Sequence, residues 1–78
     1  MTWQPEPPFR AVLGGREVEI REMYPGIFNV FDAETGERIA VAVDVAGGWW
    51  LGVRIGSKRR ELHEPGGVRE VARRLLAP

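Results

Sequence analysis

The side chains that most often carry out catalysis are scarce in this chain. There is no cysteine, which excludes a thiolate nucleophile, a thiolate metal site and a disulfide. His63 is the only histidine, and Ser57, the only serine, falls in a predicted turn without the G-x-S-x-G context of a hydrolase nucleophile. Several glutamates occupy positions typical of solvated strand faces: Glu17, Glu19, Glu22 and Glu37. The sequence therefore predicts a protein that is not an enzyme and that binds neither a metal nor a cofactor.

Charge is balanced over the 78 residues but unevenly distributed along them. Residues 1–53 carry four basic and eight acidic side chains, whereas residues 54–78 carry seven basic and three acidic ones. Such an asymmetry can indicate an anionic partner. Basic residues near a C-terminal helix can equally complement the helix dipole, and we favour this second interpretation.

Period-two alternation makes residues 38–55 the centre of the predicted fold. Eight odd-numbered positions are large and apolar: Ile39, Val41, Val43, Val45, Trp49, Leu51, Val53 and Ile55. A three-residue loop over residues 46–48, with Gly48 left-handed, places Val45 opposite Trp49 and all eight side chains on one face. A two-residue loop would divide them between the two faces. We expect the three-residue loop, with Trp49 in the core and Trp50 pointing away from it.

Two more hairpins are predicted on the N-terminal side of this centre. Residues 9–13 and 16–22 pair around Gly14-Gly15, which places Arg10 opposite Glu19. Residues 27–32 form the next strand, and a four-residue loop over 33–36 puts Phe28 and Val30 on the core face, opposite Val41 and Ile39. A three-residue loop would instead bury Asn29, which costs free energy without a hydrogen-bond partner. We therefore prefer the four-residue loop.

The C-terminal part predicts a short edge strand and one helix. Residues 58–64 are rich in charge, as edge strands often are, and Pro65-Gly66-Gly67 ends them. Apolar residues then recur at helical spacing: Val68, Val71, Ala72, Leu75 and Leu76. A helix of about nine residues is unstable alone, so we expect it to dock on the odd-numbered face.

The predicted fold class is α+β. It is an antiparallel β-meander of four to six strands, which could curl toward a small barrel, with one C-terminal α-helix packed on one face. Residues 9–78 are expected to form this single small domain. Residues 1–8, which contain three prolines, are expected to be an extended or disordered tail.

The predicted sheet face away from the helix is the candidate working face. It would carry Ile27, Asn29, Phe31, Arg38, Ala40, Ala42, Asp44, Trp50, Gly52 and Arg54. A solvated sheet face is usually more polar, and an exposed apolar patch often marks an interaction site. The first hypothesis is therefore a protein-interaction or self-assembly module, either a homo-oligomer or a binder of another protein. Its predicted partner-binding residues are Ile27, Phe31, Trp50 and Arg54.

Nucleic-acid binding is the alternative hypothesis. Trp50 would stack on bases, and Arg54, Lys58, Arg59 and Arg60 would contact phosphates. Residues 26–76 resemble, in topology alone, the small sheet-and-helix modules of the integrase N-terminal kind, which read DNA with a sheet face. The zero net charge argues against this alternative.

The sequence also bears on source and location. Glycine, alanine, arginine and proline are abundant, which is typical of a GC-rich bacterial genome. No apolar run approaches the ~20 residues of a membrane span, and the N-terminus lacks a signal pattern. We expect a cytoplasmic protein with no membrane partner.

Overall fold

Six strands and one helix form over residues 2–77, which are the residues that the computed structural model describes. The strands are β1 (Phe9–Leu13), β2 (Arg16–Tyr24), β3 (Ile27–Asp32), β4 (Arg38–Asp44), β5 (Trp49–Arg54) and β6 (Arg60–His63), and the helix is α1 (Val68–Leu76). All strands pair antiparallel with their neighbours in chain order. The predicted α+β meander with a C-terminal helix is confirmed, and the sheet is not closed into a barrel.

The N-terminal hairpin has the predicted register. Arg10 lies opposite Glu19, and Ala11 lies opposite Val18. The tight turn needs positive φ at both central residues, and Gly14 and Gly15 supply it with φ values of 60° and 78°. Before β1, residues 2–8 form neither helix nor strand, and the backbone N–H of Glu6 donates to Glu22 Oε1 at 2.9 Å.

The central hairpin also has the predicted register. Val43 lies opposite Leu51, Val41 lies opposite Val53, and the Val45 N–H donates to the Trp49 carbonyl at 3.0 Å. Residues 46–48 form the loop between this bonded pair, and Gly48 is left-handed with φ of 80°. The large odd-numbered side chains of β4 and β5 therefore do share one face of the sheet.

A β-bulge at Ile39 changes which face of the central hairpin lies on the same side of the sheet as Phe28 and Val30 of β3. The turn has four residues as predicted, because the Asp32 N–H donates to the Glu37 carbonyl at 2.8 Å and Phe31 lies opposite Arg38. Val30, however, lies opposite Ala40, so Ile39 is an extra residue on β4. From this point on, the even-numbered residues of β4 share a face with Phe28 and Val30.

Asp32 stabilises the turn that precedes the bulge. Its Oδ1 accepts hydrogen bonds from the N–H groups of Thr35 at 3.1 Å and Glu34 at 2.8 Å. These bonds hold the pKa of the Asp32 carboxyl below its ordinary value of 3.8. The turn thus favours the ionised carboxylate.

The helix packs on the even-numbered face of β4 and β5. It contacts β1, β4 and β5, and the buried core consists of Ala11, Leu13, Val18, Ile20, Phe28, Val30, Ala40, Ala42, Trp50, Leu62, Val71, Ala72 and Leu75. A Cβ built on Gly52 would lie 2.8 Å from the two terminal methyl carbons of Leu75. A side chain at position 52 would therefore force Leu75 to shift where the last turn of the helix approaches the sheet.

The prediction of which face the helix covers was wrong for β4 and β5. Trp50 is only 6% exposed and belongs to the core, whereas Trp49 is 50% exposed. Six residues assigned to the open face lie instead on the helix side: Ala40, Ala42, Asp44, Trp50, Gly52 and Arg54. The physical reason is the Ile39 bulge, which exchanges the two faces of the central hairpin relative to β3.

Candidate functional site

The sheet face opposite the helix carries an apolar surface across its three central strands, and Asn29 interrupts it on β3. We call it the outer patch, and it consists of Ile27, Phe31, Val41, Val43, Trp49, Leu51 and Val53. Cross-strand rows align these side chains: Ile27, Val43 and Leu51 form one row, and Val41 and Val53 belong to the next. All of them are partly or largely exposed. Trp49 is half exposed, and the other six residues of the outer patch are partly exposed.

Charged side chains border the outer patch on the β2 side. The guanidinium of Arg21 lies 5.2 Å from the centroid of the Phe31 ring and forms an ion pair with Glu19. Arg10 Nε also lies 3.6 Å from Glu19 Oε1. Arg10 is also 3.5 Å from Glu17 Oε1, so two arginines and two glutamates balance at this border. Arg21 reaches over the edge of the outer patch.

The opposite border, on the β6 side, is acidic and aromatic. Glu61 lies opposite Leu51, and His63 lies opposite Trp49. The rings of Trp49 and His63 have centroids 4.9 Å apart at an interplanar angle of 51°. A surface cavity of about 390 Å³ opens beside them and is lined by Val45, Ala46, Trp49, Trp50, Leu51 and Glu61. The two borders of the outer patch therefore differ in charge.

The four residues of the first functional hypothesis are divided between the two faces. Ile27 and Phe31 lie on the outer patch, as predicted. Trp50 does not: its ring packs 5.9 Å from Phe28, and its Nε1 donates to the Glu64 carbonyl at 3.1 Å. Arg54, opposite Ala40, projects from the helix side at the end of β5. Ile27 and Phe31 thus share the outer face of β3, on either side of Asn29, and Trp50 and Arg54 lie on the helix side.

The alternation of apolar residues predicts that most of the outer patch belongs to the core. Those residues are Val41, Val43, Trp49, Leu51 and Val53. The missed signal was the row of small residues Ala40, Ala42 and Gly52, which leaves the room that a helix needs to approach a sheet closely. The large side chains on the other face would have kept the helix farther from the sheet, because close packing leaves no space for both.

The basic residues of the nucleic-acid alternative lie at one end of the sheet. Arg54 ends β5, Lys58 and Arg59 lie in the following loop, and Arg60 begins β6. Lys58, Arg59 and Arg60 are exposed. Because Trp50 is buried, the stacking platform that this alternative required is not on the surface.

Among residues 2–77, no group of three or more His, Asp or Glu side chains is placed to hold a metal ion. No helix in the same range is long and apolar enough to cross a membrane. No known protein family, curated protein or solved structure matches the chain.

Proposed function

We propose that this protein is a non-enzymatic self-assembly module and that its outer patch packs against the outer patch of a second copy. The observation that carries the proposal is the apolar sheet face opposite the helix. Trp49 is 50% exposed there, and six more apolar side chains of the outer patch are partly exposed around it. Exposed apolar surfaces of this kind favour association, because burying them releases water.

The charges at the two borders favour a second copy as the partner. Two sheets that pack face to face keep their strands within about 30° of each other. A two-fold axis along β4 then places β2 of one copy over β6 of the other, because these strands lie on opposite sides of β4. Arg21 of one copy approaches Glu61 of the other, and symmetry repeats the pair. Arg21 at one border and Glu61 at the other are therefore complementary between the two copies.

The size of the face predicts a weak dimer. The five overlapping strands, β2 to β6, give at ordinary spacing a contact face of roughly 500 Å² per copy. The total buried area of about 1,000 Å² lies at the lower end of specific interfaces. Interfaces of this size are usually weak, so we expect a dissociation constant on the order of micromolar. Buried area alone does not fix the affinity.

The experiment is sedimentation velocity over a concentration series, with wild type compared to Leu51→Lys. Leu51 lies within the outer patch, and a lysine there faces Glu61 in the monomer, where the pair favours folding. In the dimer, the lysine ammonium would be buried in the interface and would lose its hydration. We therefore expect this substitution to abolish the dimer. The matched control is Val12→Lys, since Val12 is 67% exposed on edge strand β1, which lies beyond the overlap of the two sheets.

We expect wild type and Val12→Lys to dimerise reversibly and Leu51→Lys to stay monomeric with an unchanged urea midpoint at low protein concentration. A monomeric wild type at several hundred micromolar would contradict self-assembly and leave the outer patch to a different protein. Equal dimerisation of the Leu51→Lys variant would contradict the location of the interface.

A further inference from the structure

Three arginines line one groove at the end of the sheet where the helix terminates. The groove has a volume of about 250 Å³ and is lined by Arg16, Glu37, Arg38, Ile39, Arg54 and Ile55. A neighbouring cavity of about 240 Å³ shares Arg16 and Arg54 and reaches Leu76 of the helix. We call the first of these the arginine groove.

The topology brings these arginines together from distant parts of the chain. Arg16 is the first residue of β2, Arg38 is the first of β4, and Arg54 is the last of β5. Antiparallel pairing puts all three at the same end of the sheet. Arg16 and Arg54 line the same groove although two strands separate β2 from β5, so the sheet curls strongly at this end.

The arginine groove has an excess of positive charge. Its walls hold three guanidinium groups and one carboxylate, that of Glu37, for a formal charge of +2. Arg16 Nε lies 3.7 Å from Asp32 Oδ2. Among residues 2–77, no carboxylate oxygen lies within 4 Å of Arg38 or Arg54. Like charges gathered in one groove repel each other, and a bound anion would remove that repulsion.

The helix dipole accounts for only part of this cluster. The Leu76 carbonyl lies 3.9 Å from a Cβ built on Gly14, so the carboxyl end of the helix is near Arg16 and Arg54, where cations are favourable. Arg38 lines the groove together with Ile39 and Ile55 and does not line the cavity at Leu76. The dipole therefore gives no reason for the third arginine.

We propose that the arginine groove binds a phosphate group. The planar guanidinium presents several N–H donors in a fork that matches phosphate oxygens, and groups of arginines are the usual protein receptors for phosphate. A groove of about 250 Å³ is large enough for one or two phosphates. Lys58 and Arg59 follow Arg54 in the next loop and would extend the attraction to a longer anion. The proposal does not depend on self-assembly.

Isothermal titration at low salt with two probes tests the proposal. The probes are inorganic pyrophosphate and a twelve-nucleotide oligothymidine, because the phosphate could belong to a small ligand or to a nucleic-acid strand. The variants are Arg54→Gln and the exposed Arg38→Gln, which keeps the test valid if Arg54→Gln fails to fold. The control is Arg69→Gln, because Arg69 is an exposed arginine on the helix that does not line the arginine groove.

We expect wild type and Arg69→Gln to bind at least one probe with equal affinity. Each groove variant should bind that probe at least about tenfold more weakly, because it loses a charged hydrogen bond to phosphate. Saturable binding of pyrophosphate alone would identify a small phosphate ligand. Tighter binding of the oligonucleotide, with a salt dependence that decreases by about one logarithmic unit per arginine removed, would identify a phosphodiester backbone. Failure of both probes to bind wild type would overturn the proposal, and so would an equal loss in Arg69→Gln and the groove variants.

Discussion

Trp49 and Trp50 are adjacent in the chain and have opposite environments. Successive side chains of a strand point to opposite faces, so one ring of such a pair must leave the core. The Trp50 ring packs near Phe28, and its N–H is satisfied by the Glu64 carbonyl, which a buried indole requires. The Trp49 ring packs at a tilted angle against His63 at the surface. The environments of these two residues therefore show which face of β5 packs against the helix and which is exposed.

Alanine substitution of each tryptophan should separate folding from surface function. Trp50→Ala removes a buried aromatic ring and should lower the free energy of unfolding by about 3–5 kcal/mol. Trp49→Ala removes a half-exposed ring and should cost less than about 1.5 kcal/mol in the monomer. Urea denaturation at low protein concentration measures both. A larger loss for Trp49→Ala would mean that the two faces are assigned the wrong way round.

Alternation of side chains could predict the opposite orientation of the two rings but could not decide which of them is buried. Both faces of β4 and β5 are apolar: one has large residues such as Val41 and Val43, and the other has the small residues Ala40 and Ala42. Large apolar residues are usually the better indicator of a core. Here the helix needs the small ones, because its own side chains fill the space above them.

The strands and the helix themselves were largely predictable. The helix has the bounds Val68–Leu76 expected from its apolar spacing, and the loops of the first and central hairpins have the expected lengths. The Ile39 bulge was not predictable, because no glycine or proline marks it and one extra residue changes no apolar pattern within β4 itself. Its effect appears only in the pairing with β3, which depends on tertiary contacts.

The contact between the helix and β5 has a specific requirement at Gly52. A methyl group at this position would approach the terminal methyl carbons of Leu75 to 2.8 Å, so Gly52→Ala should cost about 1–3 kcal/mol of stability through overpacking. Removing the opposing side chain should reduce that cost. A double-mutant cycle with Leu75→Ala, followed by urea denaturation, measures the coupling. If Gly52→Ala costs the same in both backgrounds, Leu75 does not lie over Gly52.

At the scale of the whole molecule, a single short helix covers only one of two apolar sheet faces. No second helix among residues 2–77 covers the outer patch on the other face. Self-assembly would explain why this face is apolar. A small domain gains stability when a second copy buries such a face. The sequence alone could not predict this, because the identity of the covered face depends on the bulge.

Charge complementation across the two-fold axis tests the self-assembly proposal most directly. Arg21→Glu would place two glutamates opposite each other at both borders of its own dimer, and Glu61→Arg would likewise oppose two arginines. Each variant alone should dimerise less than wild type, because like charges are brought together. In a mixed dimer, the glutamate introduced by the first substitution would face the arginine introduced by the second. At the other border, the unchanged Arg21 of one variant would face the unchanged Glu61 of the other.

The measurement is sedimentation equilibrium of the two variants, separately and in an equimolar mixture, at one total protein concentration near the wild-type dissociation constant. We expect a monomer-like mass for each variant alone and recovery of the dimer in the mixture. A mixture whose mass stays at the average of the two separate samples would contradict the proposed two-fold packing of the outer patch.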